Sequence, residues 1–214
     1  MSDEHEHYNH QYSLHERGEK ICQQSIHDLE KARHRLSQVF KFFEVSLPTK
    51  SRALDVGCGL GYYTESLYQY GFLVTGVDTS KVAIESSQQR FTGPCFRCAS
   101  YPVEINDSFD LIWAVDLPMI NTLDINGMKD FVASSLQRLN KNGILIIGWH
   151  TDFSGEMKGN WAHWDLNYLR NIREMCGLHG PAIVQVRSNI LNFISIHICR
   201  VVGKSAPIFF ALKI

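Results

Sequence analysis

Ala53-Leu54-Asp55-Val56-Gly57-Cys58-Gly59-Leu60-Gly61-Tyr62-Tyr63-Thr64 decides how the rest of the chain is read. A short apolar run, residues 52–56, passes into three glycines at alternate positions. A stretch with helical character follows, up to about residue 70, and Gly71 ends it. Glycine reaches dihedrals closed to other residues and lets a ligand approach the main chain. A strand that turns into a helix through such a loop sets the loop at the carboxyl end of the strand, where open α/β sheets bind their ligands. Gly57, Gly59 and Gly61 make G-x-G-x-G, whereas the dinucleotide fingerprint is G-x-G-x-x-G. Tyr62 follows at once, and its bulk leaves less room for a pyrophosphate. Asp55 adds a negative charge that suits an ammonium group and opposes a phosphate.

Downstream, strands and helices alternate. Residues 72–77 read as a second strand leading into Gly76-Val77-Asp78-Thr79-Ser80. A carboxylate at that strand end can accept both hydroxyls of a ribose, a use shared with nicotinamide enzymes. The glycine spacing, and not Asp78, therefore separates the cofactors. A helix over 81–90 and a strand over 95–99 follow. Residues 109–115 are nearly continuous in apolar side chains, as expected of a strand covered on both faces. A helix over 125–139 stops at Asn142-Gly143, and 144–149 is a fifth strand. A loop over 150–161 leads to a helix over 164–176 closed by Gly177. Residues 182–187 and 193–202 read as two strands with no helix between them, hence an antiparallel pair at the sheet edge. The apolar segment 208–214 is expected to pack on the body or on a second copy, which leaves a homodimer open. The pattern predicts an α/β fold with a doubly wound, seven-stranded, mostly parallel sheet and right-handed crossovers.

Before the first strand, residues 1–17 are polar and carry His5, His7, His10 and His15; a flexible start is expected. Residues 19–44 have a helical apolar period through Ile21, Ile26, Leu29, Leu36, Val39, Phe40 and Phe43, and Pro48 ends it. The division expected is an N-terminal helical addition over 1–48 and a main domain over 49–214.

Composition narrows the partners. The 214 residues are 44% hydrophobic and 20% charged, with a net charge of -1, which fits a globular chain. Arg17, Lys20, Lys31, Arg33, Arg35 and Lys41 are interleaved with Glu16, Glu19, Asp28 and Glu30, so they read as a solvated helix face and argue against nucleic acid. No run of about 18 apolar residues predicts a membrane helix. The six cysteines lack the spacing of a disulfide scaffold; reduced thiols and a cytoplasmic location are expected. Cys95 and Cys98 fall on opposite faces of a strand, which disfavours a shared metal and suits packing. The N-terminal histidines lack a companion ligand of convincing spacing, so no metal site is expected.

Residues 54–78 resemble the first two motifs of class I S-adenosylmethionine-dependent methyltransferases, with a core similar to types 11, 12 and 25. Asn106-Asp107-Ser108-Phe109-Asp110-Leu111-Ile112 resembles the approach to that family's fourth strand. Leu136-Gln137-Arg138-Leu139-Asn140-Lys141-Asn142-Gly143-Ile144-Leu145-Ile146 resembles its helix, turn and fifth strand, with Lys-Asn-Gly where Pro-Gly-Gly is common. The resemblance covers about residues 50–202 and implies a Rossmann-like methyltransferase fold with S-adenosylmethionine as cofactor. It implies that Asp55 and the backbone of Gly57, Cys58, Gly59 and Gly61 hold the methionine part. Asp78 would take the ribose, Thr79 would lie beside the adenine, and Ser100 and Tyr101 would stand near the adenine amino group. Ala114 and Val115 would line the sulfonium.

Methyl transfer from a sulfonium is an in-line displacement in which the protein supplies alignment and a dry pocket. A base is needed only for a protonated nucleophile, and candidates should project from the ends of the fourth and fifth strands. Asp116 can orient an acceptor or bond the cofactor amino group. His150 is the best candidate base, because imidazole titrates near neutrality; its plain alternative is a hydrogen-bonded loop histidine. Trp149, Trp161, Trp164 and Tyr168 can wall an aromatic pocket or simply pack a helix on the sheet. Tyr8, Tyr12 and His15 can close over the acceptor as a lid. The leading expectation is a small-molecule methyltransferase. A protein- or RNA-modifying enzyme and a non-catalytic cofactor-binding module remain as alternatives, and a nicotinamide oxidoreductase is disfavoured by the glycine spacing.

Overall fold

The computed structural model describes residues 2–17, 28–183 and 189–214. Side-chain alternation builds the fold. In β1 (Arg52–Val56) Leu54 and Val56 point into one hydrophobic cluster and Ala53 into another. In β4 (Phe109–Val115) Ile112 and Ala114 join the first, Leu111 and Trp113 the second. β5 (Leu139–Thr151) divides in the same way, with Leu145 and Ile147 on one face and Ile144 and Ile146 on the other. Each strand is therefore apolar on both faces and must be covered twice. On one side α5 (Ile125–Leu136) and α6 (Leu166–Cys176) supply Met128, Phe131, Val132, Leu169 and Ile172. On the other, α2 (Leu29–Phe42) and α3 (Tyr62–Gln69) supply Leu36, Val39, Phe40 and Leu67.

With β2 (Leu73–Asp78), β3 (Cys95–Cys98), β8 (His179–Ile183) and β9 (Ala206–Lys213), the sheet has seven strands in the order β3-β2-β1-β4-β5-β9-β8. β3, β2, β1, β4 and β5 run parallel, and β9 lies antiparallel to both β5 and β8. Asp28, Ser80, Asp124 and Asp165 cap α2, α4 (Lys81–Arg90), α5 and α6 by accepting main-chain N–H bonds, and Gly177 ends α6 in the left-handed region. β6 (Met157–Lys158) and β7 (Trp161–Ala162) form a separate hairpin. Among the described residues no helix is long and apolar enough to cross a membrane.

Several expectations are corrected. Residues 2–16 are not irregular; they form α1 (Ser2–Glu16). Of the helix expected over 19–44, the part described is α2, and residues 18–27 lie outside the described residues. The stretch 193–202 is not a strand but part of α7 (Asn189–Val202). Ile196 and Cys199, one helical turn apart, pack on the main core, while Ile198 and Val201 face solvent. Residues 184–187 of the other expected strand lie outside the described residues. The antiparallel pair is β8 with β9, so the closing apolar segment enters the sheet itself. Cys95 and Cys98 are exposed, because β3 is an edge strand whose buried side chain is Phe96.

Candidate functional site

Parallel register sets Val56 beside Val77 and beside Ala114, and Val115 beside Gly148. The glycine loop, Asp78, Asp116 and His150 thus emerge along one edge of the sheet, at the carboxyl ends of β1, β2, β4 and β5. Gly57, Gly59 and Gly61 have φ of 66°, 51° and 81°, the left-handed region that favours glycine. A Cβ on Gly57 would collide with Leu117 Cδ2, and one on Gly59 would lie 2.6 Å from the Tyr12 hydroxyl. Gly59 is thus buried under Tyr12 of α1, while Gly57 stays exposed beside Leu117. Asn9 of α1 accepts a 2.7 Å bond from the Ser80 hydroxyl at the start of α4.

Asp55 is 2% exposed and accepts a 2.6 Å bond from the Thr64 hydroxyl. Burial drives its carboxyl up to about 7, the Thr64 bond pulls it back and nearby Asp78 pushes it up. Asp78 accepts from Gly59 N–H at 2.9 Å with one oxygen and from Ser80 N–H at 2.8 Å with the other. A carboxylate has further lone pairs, so ribose hydroxyls can be added to these bonds. A buried and a half-buried acceptor carboxylate beside a loop with three left-handed glycines fit an ammonium and a ribose, and this set of acceptors fits S-adenosylmethionine. Cys58 packs beneath the loop with Ile84 and Phe96, and burial pushes its thiol up, so it stays protonated. Thr79 and Ser100 are half-buried beside the β2 and β3 ends, where Ser100 N–H donates to Glu104 at 2.6 Å. The Tyr101 side chain is committed elsewhere. Its hydroxyl bonds Ser135 Oγ at 2.8 Å and its ring packs on Phe131, which leaves its main chain for any contact with a cofactor.

Asp116 has φ 53°, a left-handed conformation that aspartate tolerates better than most residues. Its N–H still bonds Gly148 O, and its carboxylate swings to β5. Oδ1 accepts from His150 N–H at 3.1 Å, and Oδ2 lies 2.6 Å from His150 Nδ1. Trp161 Nε1 donates to His150 O at 3.2 Å. The histidine is thus fixed at three atoms, and Nε2 has no partner among the described residues. Trp161 stacks on Trp149 at 4.6 Å and 6°, and Trp149 stacks on Trp164 at 5.2 Å. The indole N–H of each is bonded to a main-chain carbonyl, so these rings brace the end of β5. Beyond them, buried Asp152 pairs with Lys158 and with His163.

Arg35 and Tyr63 belong to this region and were not singled out from sequence. Arg35 Nη1 donates to the Tyr63 hydroxyl at 3.3 Å. The clue was available for Tyr63, which stands two positions after Gly61; Arg35 is distant in sequence and sits among ordinary surface charges.

Residues 54–147 match the family model of a methyltransferase domain. The chain is 31% identical to the methyltransferase-like protein YqeM of Bacillus subtilis over 119 residues, 53% of this chain and 48% of that one. It is 33% identical to the ubiquinone biosynthesis O-methyltransferase of Coxiella burnetii over 84 residues, 36% of each chain. The chain thus spans less than half the length of these curated relatives. An S-adenosylmethionine-dependent methyltransferase structure from Clostridium acetobutylicum superposes with a TM-score of 0.63 at 14% identity, covering 98% of both chains.

Proposed function

We propose that this chain transfers a methyl group from S-adenosylmethionine to a small-molecule acceptor, a reading that starts from the match of residues 54–147 to the model of a methyltransferase domain. The observation that carries this reading is the His150 ring, gripped by Asp116 at the sheet edge that also bears the glycine loop. Bound S-adenosylmethionine supplies the activated methyl carbon. Asp55 accepts from its ammonium end, the Gly57–Gly61 segment, with Cys58 and Gly59, lies along the methionine part, and Asp78 takes the ribose. Thr79, Ser100 and the main chain of Tyr101 border the adenine, and Ala114 and Val115 line the sulfonium.

His150 accepts the acceptor's proton at Nε2, and Asp116 stabilises the charge that the ring then carries. Tyr12 over buried Gly59 keeps water from that part of the loop. Lys31, Arg33 and Lys41 are exposed among acidic neighbours on and around α2, which supports a small acceptor over a nucleic acid. The test is a metabolite screen with isotopically labelled cofactor, repeated with His150→Ala. Label transfer that falls about a hundredfold or more in the variant supports the role of His150. Label transfer unaffected by the variant removes the base from the proposal.

A further inference from the structure

Residues 175–214 hold Arg187, Arg200, Lys204 and Lys213 and no aspartate or glutamate, although the whole chain has a net charge of -1. α7 lies in this stretch, between β8 and β9. β8 ends with Ile183 opposite Ile208, and β9 begins with Ala206 opposite Thr151, next to His150. The chain therefore leaves the sheet and re-enters it at the edge that carries Asp116 and His150. Ile196 and Cys199 turn inward onto the main core. On the opposite face Ile198, Val201 and Val202 stand at i, i+3 and i+4, and they are 55%, 85% and 54% exposed. Arg200 and Lys204 flank this stripe; both are exposed, and neither has an ion-pair partner among the described residues. Asp152, whose charge acts on the Cys199 thiol, is buried and engaged by Lys158 and His163, so it offers no anion at the surface. Fourteen residues are too short to cross a bilayer, but an exposed apolar stripe flanked by cations suits a helix lying in the headgroup region. A second copy fits less well. A two-fold contact through this face would set Arg200 and Lys204 of the two copies against each other, and no acid in residues 175–214 could pair with them.

We propose that the outer face of α7 docks on an anionic lipid surface. Ile198, Val201 and Val202 enter the boundary between headgroups and acyl chains, and Arg200 and Lys204 meet the anionic headgroups. The helix lies on the bilayer and does not cross it. Docking brings the sheet edge that bears His150 close to the membrane, within reach of an acceptor held in the lipid. That consequence rests on the methyl-transfer reading; the docking itself does not.

The experiment is flotation with lipid vesicles, made of phosphatidylcholine alone or of phosphatidylcholine mixed with phosphatidylserine. It compares wild type with two double variants, Ile198→Ser with Val201→Ser and Arg200→Gln with Lys204→Gln. All four positions are exposed, and each variant is checked for folding by its melting temperature. Wild type is expected to bind the mixed vesicles about tenfold more tightly than the neutral ones, and to be released as salt rises. The serine pair should weaken binding to the mixed vesicles about tenfold or more, and the glutamine pair should lose the preference for phosphatidylserine. Wild type that floats with neither vesicle overturns the proposal. Folded variants that bind as wild type does also overturn it, because the contact then lies elsewhere. Wild type that sediments as a dimer in the ultracentrifuge, and as a monomer once the serine pair is introduced, gives the face to a second copy and overturns the lipid surface. S-adenosylhomocysteine is titrated into the same proteins by calorimetry and should bind all three alike. Wild type that fails to bind it but floats through α7 overturns the methyltransferase reading and keeps the docking.

Discussion

Asp116 holds His150 twice, by the main-chain N–H at 3.1 Å and by Nδ1 at 2.6 Å. A carboxylate can only accept, so the neutral ring carries its proton on Nδ1 and presents the lone pair of Nε2. Nitrogen-15 spectra of labelled protein with the ring neutral should therefore show the Nδ1–H tautomer at His150. Asp116→Asn should shift the ring towards the other tautomer and leave S-adenosylhomocysteine affinity within about twofold. An Nε2–H tautomer in wild type would remove the case for His150 as a base.

The buried Asp55 carboxyl gives the fold a pH dependence of definite sign. Its folded value, about 7, stands above the unfolded value of 3.8, so the folded state binds the extra proton between them. Its contribution to stability falls as pH rises from about 4 to 7, with an order-of-magnitude ceiling of about 4 kcal/mol. Urea unfolding across that range should show this slope in wild type and lose it in Asp55→Asn. A ligand ammonium favours the ionised form. Cofactor binding at pH 6 should therefore release close to one proton and at pH 8.5 almost none, read from calorimetry in buffers of different ionisation enthalpy.

Asp152 behaves in the opposite sense. Burial alone would raise its carboxyl, but hydrogen bonds from Lys158 and Ser154 and the charge of His163 outweigh it and bring it down to about 2. Its stabilisation is present above the unfolded value of 3.8 and is lost as pH falls through 2. Asp152→Asn should melt several degrees lower at pH 6, and the two proteins should converge as the pH approaches 2. Parallel melting curves at every pH would show that the Lys158 and His163 pairs contribute nothing net.

What could be read from sequence tracks local signals. The β1–loop–α3 turn, Asp78 at the end of β2 and the apolar β4 and β5 follow from glycine spacing and continuous hydrophobicity, and the structure places them accordingly. Residues 193–202 misled because isoleucine and valine dominate them and their alternation imitates a strand. The contacts that settle the matter, Ile196 and Cys199 on the main core, are tertiary. Residues 2–16 have almost no apolar period. Their helix is held by Tyr12 against Leu60 and Ala83 and by Asn9 on Ser80, partners some fifty to seventy positions away. At the site, Asp116 and His150 could be named from strand ends, but their mutual grip depends on a positive φ at Asp116, which no spacing announces. Arg35 was hidden for a different reason: its partner Tyr63 lies 28 positions away across a helix packing.

The central claim is that this sheet edge binds S-adenosylmethionine. Calorimetric titration of wild type and Asp78→Ala with S-adenosylmethionine, S-adenosylhomocysteine and NAD tests it most directly. The account predicts that wild type binds both adenosyl compounds and not NAD, and that Asp78→Ala, losing the acceptor at the end of β2, weakens both about tenfold or more. Folded wild type that binds neither adenosyl compound, or that binds NAD in their place, would contradict it.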